Sequence, residues 1–176
     1  MKIIVGLGNI GKEYINTKHN FGFMFIEYLE DKYNFKCDKK MKKSLIAETK
    51  INNEKVVFVK PQTYMNLSGE AILEVLNWYK EDISNVLVIY DDLDIPFETI
   101  RYKESGSAGT HNGMRNIINL TKTNEICRIR LGMGNLKHEN EDLVKFVLSK
   151  FKKDELTKIK EIFTLAEIKM LEYLDK

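Results

Sequence analysis

Two cysteines, Cys37 and Cys127, are all that 176 residues contain. Neither stands at C-x-x-C or metal-type spacing. A disulfide framework and a thiolate metal site are therefore excluded, and both thiols read as reduced and structural. A dominant charge is lacking too: 28 Lys and Arg stand against 26 Asp and Glu, a net +2. Such a balance gives no general affinity for polyanions and leaves only local basic patches for contact with nucleic acid. No run of about 18 apolar residues occurs, so no membrane span is expected. The N-terminus enters a strand without the apolar stretch and small-residue cleavage site of a signal peptide, which points to the cytoplasm. Internal repeats, linkers and low-complexity segments are absent. What remains is the make-up of a soluble folded chain, 43% hydrophobic and 31% charged, of a length that fits one domain over residues 1–176.

Strand and helix signals alternate. Residues 2–7 read as a strand, and Phe21, Met24, Phe25, Tyr28 and Leu29 recur at helical spacing up to about Tyr33. Residues 44–51 and 55–60 flank Asn52-Asn53-Glu54 as a hairpin that ends at Pro61. Ala71, Ile72, Val75, Leu76 and Tyr79 mark a second helix. Val86-Leu87-Val88-Ile89-Tyr90 is a continuous apolar run, as expected of a strand buried on both faces. Further strands are expected over 98–103 and 126–132, a short helix near 113–120, and helical stripes through Leu143–Phe151 and Leu156–Met170. The lysine-rich connection 36–43 reads as a solvated surface loop. The order predicts one α/β domain, a mixed twisted sheet sandwiched between helices.

The first strand runs into Gly6-Leu7-Gly8-Asn9-Ile10-Gly11, a formal G-x-G-x-x-G. A dinucleotide fingerprint must open a helix so that the helix N-terminus meets the pyrophosphate. Here the glycines lead into Lys12–Lys18, which has no apolar stripe, and helix begins only near Phe21. The loop instead delivers polar groups: Asn9, Tyr14, then His19 and Asn20.

Two further strand-end loops share that character: Gln62–Gly69, with Met65 and Asn66, and His111-Asn112-Gly113. A fourth loop, Asp91-Asp92-Leu93-Asp94, follows the most buried strand. Histidine with carboxylate makes a general-base pair, and asparagine amides can hold a peptide backbone or a developing oxyanion. The plainer readings are that Asn20 and Asn66 are helix caps and that a histidine at a helix start is a surface or capping residue. The aspartates resemble the start of a calcium loop but lack its glycine and terminal glutamate. His111 and His138 lack a helix-face partner for zinc. Ser68 and Ser107 are not in a nucleophile elbow, so a hydrolase here would use water as its nucleophile.

Taken together, the loops resemble bacterial-type peptidyl-tRNA hydrolase. The matching pieces are Val5–Asn9 with Tyr14 and Thr17–Gly22, Lys60–Gly69, Asp91–Pro96, Gly106–Gly113 and Arg128–Gly134, in register along nearly the whole chain up to the last helices. The resemblance implies cleavage of the ester between a peptide and the terminal ribose of tRNA by a monomeric enzyme without cofactor or metal. It implies His19 as the base, Asp91 as its orienting carboxylate and Asn9 near the attacked carbonyl. Asn66 and Asn112 would bind the peptide part, Tyr14 and Met65 would line the pocket, and Lys103 with Arg130 would clamp the tRNA 5′-phosphate. Departures occur at Asn135-Leu136, Glu139, Thr110 and Arg101, and they bear on tRNA contact rather than chemistry.

Three geometric expectations follow. His19 should lie within about 2.6–3.2 Å of Asp91. Asn9, Asn66 and Asn112 should face one cleft with it. Lys103 and Arg130 should meet across adjacent strands. Two other classes stay open on the residues alone. One is an oxidoreductase resting on Gly6–Gly11; the other is a catalytically silent RNA-binding module resting on the basic residues.

Overall fold

The computed structural model describes residues 1–176. Its strands are β1 (Lys2–Gly6), β2 (Lys39–Met41), β3 (Ser44–Ile51), β4 (Glu54–Pro61), β5 (Val86–Asp92), β6 (Ile100–Lys103) and β7 (Cys127–Gly132). They form one mixed sheet in the order β2-β3-β4-β1-β5-β7-β6. The neighbours β4-β1-β5-β7 run parallel, and β2, β3 and β6 pair antiparallel at the two sides. The helices are α1 (Phe21–Tyr33), α2 (Ser68–Tyr79), α3 (Asn112–Thr121), α4 (Leu143–Val147) and α5 (Lys153–Leu174).

The run 86–90 shows why its residues are all apolar. Leu87 and Ile89 pack with Phe21, Phe25, Ile162 and Phe163 of α1 and α5. Val86, Val88 and Tyr90 pack with Ile72, Val75, Met114 and Ile117 of α2 and α3. A strand covered on both faces cannot alternate polar with apolar. The expected sandwich of a mixed sheet between helices is therefore the observed one.

One expectation is corrected. The lysine-rich connection is not only loop: Lys39–Met41 adds a short edge strand to β3. Its lysines stay exposed, and charged residues on a three-residue strand protect an open sheet edge from further pairing.

The glycines of the first loop serve packing. A Cβ on Gly6 would collide with the Gly22 carbonyl, and one on Gly22 with Leu7 and the Ile89 carbonyl. So α1 rests backbone to backbone on β1 and β5. Between β1 and α1 the chain makes two short 3-10 turns, Lys12–Tyr14 and Lys18–Asn20. The first turn of α1 packs closed against the glycine loop: the Phe23 N–H donates to the Leu7 carbonyl at 3.1 Å and a Cβ on Gly8 would stand 2.5 Å from the Phe23 ring, so the fingerprint lacks the open anion site that gives it meaning.

Candidate active site

Loops at the carboxyl ends of β1, β4 and β5 converge with the start of α3, the place where an open α/β sheet gathers its ligands. Asp91, the sixth residue of β5, is buried, and both its oxygens are engaged. Oδ2 lies 2.8 Å from His19 Nδ1, and Oδ1 lies 3.0 Å from His111 Nε2. Burial works against the carboxylate charge. The attraction of the two imidazoles and the hydrogen bonds they donate outweigh it and hold Asp91 well below the usual carboxylate range. An ionised carboxylate only accepts, so both ring nitrogens facing it carry protons.

His111 then has a fixed protonation state. Its Nδ1 accepts from the Met114 amide at 3.1 Å, capping α3. With Nδ1 a lone pair and Nε2 a donor, the ring is neutral, and complete burial pushes its pKa down against the pull of Asp91. His19 differs. Burial lowers its pKa, but the Asp91 charge and hydrogen bond together raise it overall. Its Nδ1–H donates to Asp91 and its Nε2 has no protein partner. That nitrogen is the free base of the site.

Asn9 is held on three sides. Its amide N–H donates to Asn20 Oδ1 at 2.7 Å, its carbonyl accepts from Asn20 Nδ2 at 2.9 Å, and its Oδ1 accepts from the Met65 amide at 2.7 Å. With Oδ1 so engaged, the Nδ2 group is left as a donor without a protein partner. Asn20, read above as a possible cap, makes no capping bond to α1 and clamps Asn9 instead. Met65 arrives through Tyr64, whose φ of 61° costs an L-residue on the order of 1–3 kcal/mol. Met65 then packs its sulfur on Gly113, where a Cβ would stand 2.5 Å from it.

The remaining residues fall at graded distances. Asn112 opens α3 at the cleft, its Oδ1 accepting from Arg115 at 3.2 Å. Asn66 sits exposed in a 3-10 turn beside Met65. Tyr14 is half-buried and meets Tyr64 edge to face, centroids 6.5 Å apart. A narrow cleft lies over His19, Asp91 and His111. Leu93 and Asn112 wall it on one side, and Leu143, Val144 and Val147 of α4 on another. Asn9 lines the neighbouring depression with Asn16, Asn20 and Gln62. The single cleft expected for the three asparagines is not formed: Asn112 lines the cleft over His19, Asn9 lines the second depression and Asn66 lines neither, and Asn9 is joined to the residue after His19 by its hydrogen bonds with Asn20.

His19, Asp91 and His111 offer three potential metal-ligand atoms within 4.8 Å of one another. The nitrogens already stand 2.8 and 3.0 Å from the carboxylate oxygens. Two ligands of one tetrahedral ion would be about 3.3 Å apart. The arrangement is hydrogen-bonded rather than chelating.

Lys103 and Arg130 share a face of the sheet, but the register sets Arg101 opposite Arg130 and Lys103 opposite Arg128. Lys103 and Arg130 are therefore diagonal neighbours. Lys103 is exposed and makes no ion pair, and Arg130 donates to Asp92 Oδ2 at 3.2 Å. Arg128 is buried, its guanidinium donating to the carbonyls of Ser107, Asn124 and Ile126.

Four features were not assigned from sequence: the Asn20 clamp, the second histidine on Asp91, the Asp92–Arg130 pair and the α4 wall. Asn20 and His111 lay in flagged loops, so the first two had a signal. An ordinary amphipathic stripe marked α4, and nothing in it pointed to the cleft.

Comparison with known proteins agrees with the geometry. A family model described as peptidyl-tRNA hydrolase matches residues 3–176. A peptidyl-tRNA hydrolase of Alkaliphilus oremlandii is 48% identical over 166 residues, spanning 94% of this chain and 89% of that protein. One from Clostridium botulinum is 43% identical over the same length, spanning 94% and 86%. The crystal structure of peptidyl-tRNA hydrolase from Acinetobacter baumannii superposes with a TM-score of 0.84 at 30% identity, over 99% of this chain and 93% of that one. In sequence and in fold, the chain belongs to the peptidyl-tRNA hydrolase family.

Proposed function

We propose that the protein hydrolyses the ester of peptidyl-tRNA with a water molecule activated by His19, and that no metal ion takes part. The observation that carries this reading is the protonation pattern around Asp91. One imidazole is neutral and capped, and the other turns an unpartnered Nε2 into the cleft.

His19 Nε2 removes a proton from water as the oxygen adds to the ester carbonyl. The imidazolium that forms is stabilised by Asp91 at 2.8 Å. The Nδ2 group of Asn9, fixed in direction by Met65, donates to the developing oxyanion. Collapse of the tetrahedral intermediate breaks the bond to the ribose oxygen, which recovers the proton from His19. The products are a peptide carboxylate and a tRNA with a free terminal hydroxyl. An aminoacyl ester is activated enough that base and donor suffice without a covalent intermediate. Asn66 and Asn112 bind main-chain groups of the peptide, which suits any sequence, and Tyr14 and Met65 line its path. Lys103 and Arg130 hold the 5′-phosphate. The enzyme acts as a cytoplasmic monomer.

The test compares N-acylated and free aminoacyl-tRNA as substrates, with and without a chelator. The expected result is release from the acylated form alone, unchanged by chelation, and lost by orders of magnitude in His19→Ala while the protein stays folded. Near-normal turnover of that variant would end the assignment. Tight RNA binding with no ester cleavage by the unaltered protein would favour a silent binding module.

A further inference from the structure

The basic face formed by β6 and β7 carries a carboxylate at its centre. Arg101 and Lys103 stand on β6, two residues apart and thus on one side of the sheet, exposed and without ion pairs. Arg130 faces them from β7, opposite Arg101. Of these three cations only Arg130 is matched, by Asp92 at 3.2 Å. Both partners are mostly buried, with side-chain exposures of 16% and 14%, so solvent screens the pair less than it would an open surface pair. The guanidinium also keeps one buried donor, Nε, without a partner. Asp92 is itself fixed: its Oδ1 accepts from the Asp94 amide at 2.8 Å, which leaves Oδ2 to Arg130. It follows Asp91 directly and lines the same cleft.

We propose that Asp92 is a built-in competitor for the phosphate that this face binds, and that it sets how readily tRNA leaves. The inference rests on the reading of Arg130 as a phosphate contact. Cleavage of the ester removes the peptide and leaves the 5′-phosphate untouched. Product and substrate therefore grip this face equally, and a strong grip would hold the enzyme on spent tRNA. Binding that is equal in substrate and product does nothing for the chemical step. A phosphate arriving at Arg130 must share it with a carboxylate, and the two anions repel at close range. Asp92 thereby limits phosphate affinity while keeping the guanidinium oriented. Arg101, directly opposite Arg130 and unpaired, is a third point of contact beside Arg130 and the diagonal Lys103.

The experiment uses Asp92→Asn, which retains an oxygen to accept from the Asp94 amide and replaces the oxygen facing Arg130 with an amide donor, so the charge and the hydrogen bond to Arg130 are lost together while the size of the side chain is kept. KM for N-acylated aminoacyl-tRNA and the inhibition constant of deacylated tRNA are measured with and without the 5′-phosphate, across salt concentrations. The unaltered enzyme should prefer the phosphorylated forms. In Asp92→Asn that preference should grow roughly three- to tenfold, with deacylated tRNA becoming a correspondingly stronger inhibitor and the salt dependence steeper. Arg101→Ala should lower the preference. A phosphate preference in Asp92→Asn equal to or below that of the unaltered enzyme overturns the competitor role while leaving the clamp intact. No phosphate preference in the unaltered enzyme overturns the clamp and the competitor together. The pH optimum and solubility of the variant check that its fold is retained.

Discussion

Asp91 accepts from two imidazoles that titrate in opposite directions. The neutral His111 lends a hydrogen bond without adding a charge, so the carboxylate keeps its full effect on His19. The pH dependence of turnover follows with a definite sign. A base works only when deprotonated, and the pKa of His19 is raised. The acid limb of kcat/KM should therefore lie above the ordinary histidine value of about 6.5. Asp91→Asn removes the upward pull and leaves the opposing effect of burial. That limb should move to lower pH while the plateau rate falls by roughly 10²–10⁴. A limb that moves upward, measured by kcat/KM against pH, would contradict this account. Asn20→Ala should act one step back. It frees both main-chain groups of Asn9 and should cost roughly 2–4 kcal/mol of stability, read by denaturant unfolding, because two buried polar groups lose their partners. At this scale the sequence was informative about residue types. Asparagine and histidine beside glycine at strand ends signal a polar site, and the loops named for that reason are the ones that converge. It could not say that Asn20 serves Asn9 or that His111 serves Asp91. Those pairings join residues 11 and 20 positions apart through the geometry of the sheet, and no local spacing encodes them.

Among the elements, α4 depends most on a single tether. It has only five residues, too few to hold a position through its own hydrogen bonds. Lys18, beside His19, reaches across to α4. Its ammonium donates to Ser149 Oγ at 2.9 Å and the Lys150 carbonyl at 3.2 Å, and it lies 4.7 Å from the centroid of Phe146. Burial lowers the pKa of this lysine, with Glu155 and Glu141 opposing from α5 and the preceding loop. The backbone adds Lys18 N–H to the Ser149 carbonyl and Phe151 N–H to the Asn16 carbonyl. The cleft wall and the turn that carries His19 are thus tied into one piece. Lys18→Met should loosen them, accelerating amide exchange over residues 143–151 and raising KM several-fold with a smaller effect on kcat. Lys18→Arg should restore most of both. The helices and central strands were legible because their apolar spacing reports a buried face. The edge strand β2 was not, because three half-solvated residues, two of them lysines, carry no period. Its existence depends on β3 lying alongside.

Over the whole molecule, α1 and α5 cover one face of the sheet and are joined by a buried carboxylate. Glu167 accepts from Tyr28 at 2.9 Å, Lys32 at 2.8 Å and Tyr33. Burial raises its pKa, but these donors outweigh it and the net direction is down. Asp91 is depressed as well. For such groups the unfolded chain takes up protons first. Their stabilisation is complete above the ordinary carboxylate range and is lost as pH falls through their native values. His111 adds to this loss below about pH 6.5, whereas His19, with its raised pKa, favours the folded state there and loses that contribution as pH climbs. The stability curve of Glu167→Gln should accordingly be flatter between about pH 5 and 3 than that of the unaltered protein. Glu167→Ala should cost roughly 1–3 kcal/mol, because two part-buried tyrosine hydroxyls lose their acceptor while the exposed Lys32 ammonium turns to solvent. An unchanged acid slope in the Gln variant would show that another group governs acid unfolding.

The contact of Gly6 with Gly22 bears on how such a protein can diverge. The turn that carries His19 is located by peptide planes resting on peptide planes, with no side chain interposed at that point. Changes of side-chain volume elsewhere in the two cores therefore act on the separation of His19 from Asp91 only through the backbone contact of these glycines. The two glycines are the fixed coordinates of that divergence. Substitution of either would have to be answered by a shift of the whole first helix, and with it the loss of the site.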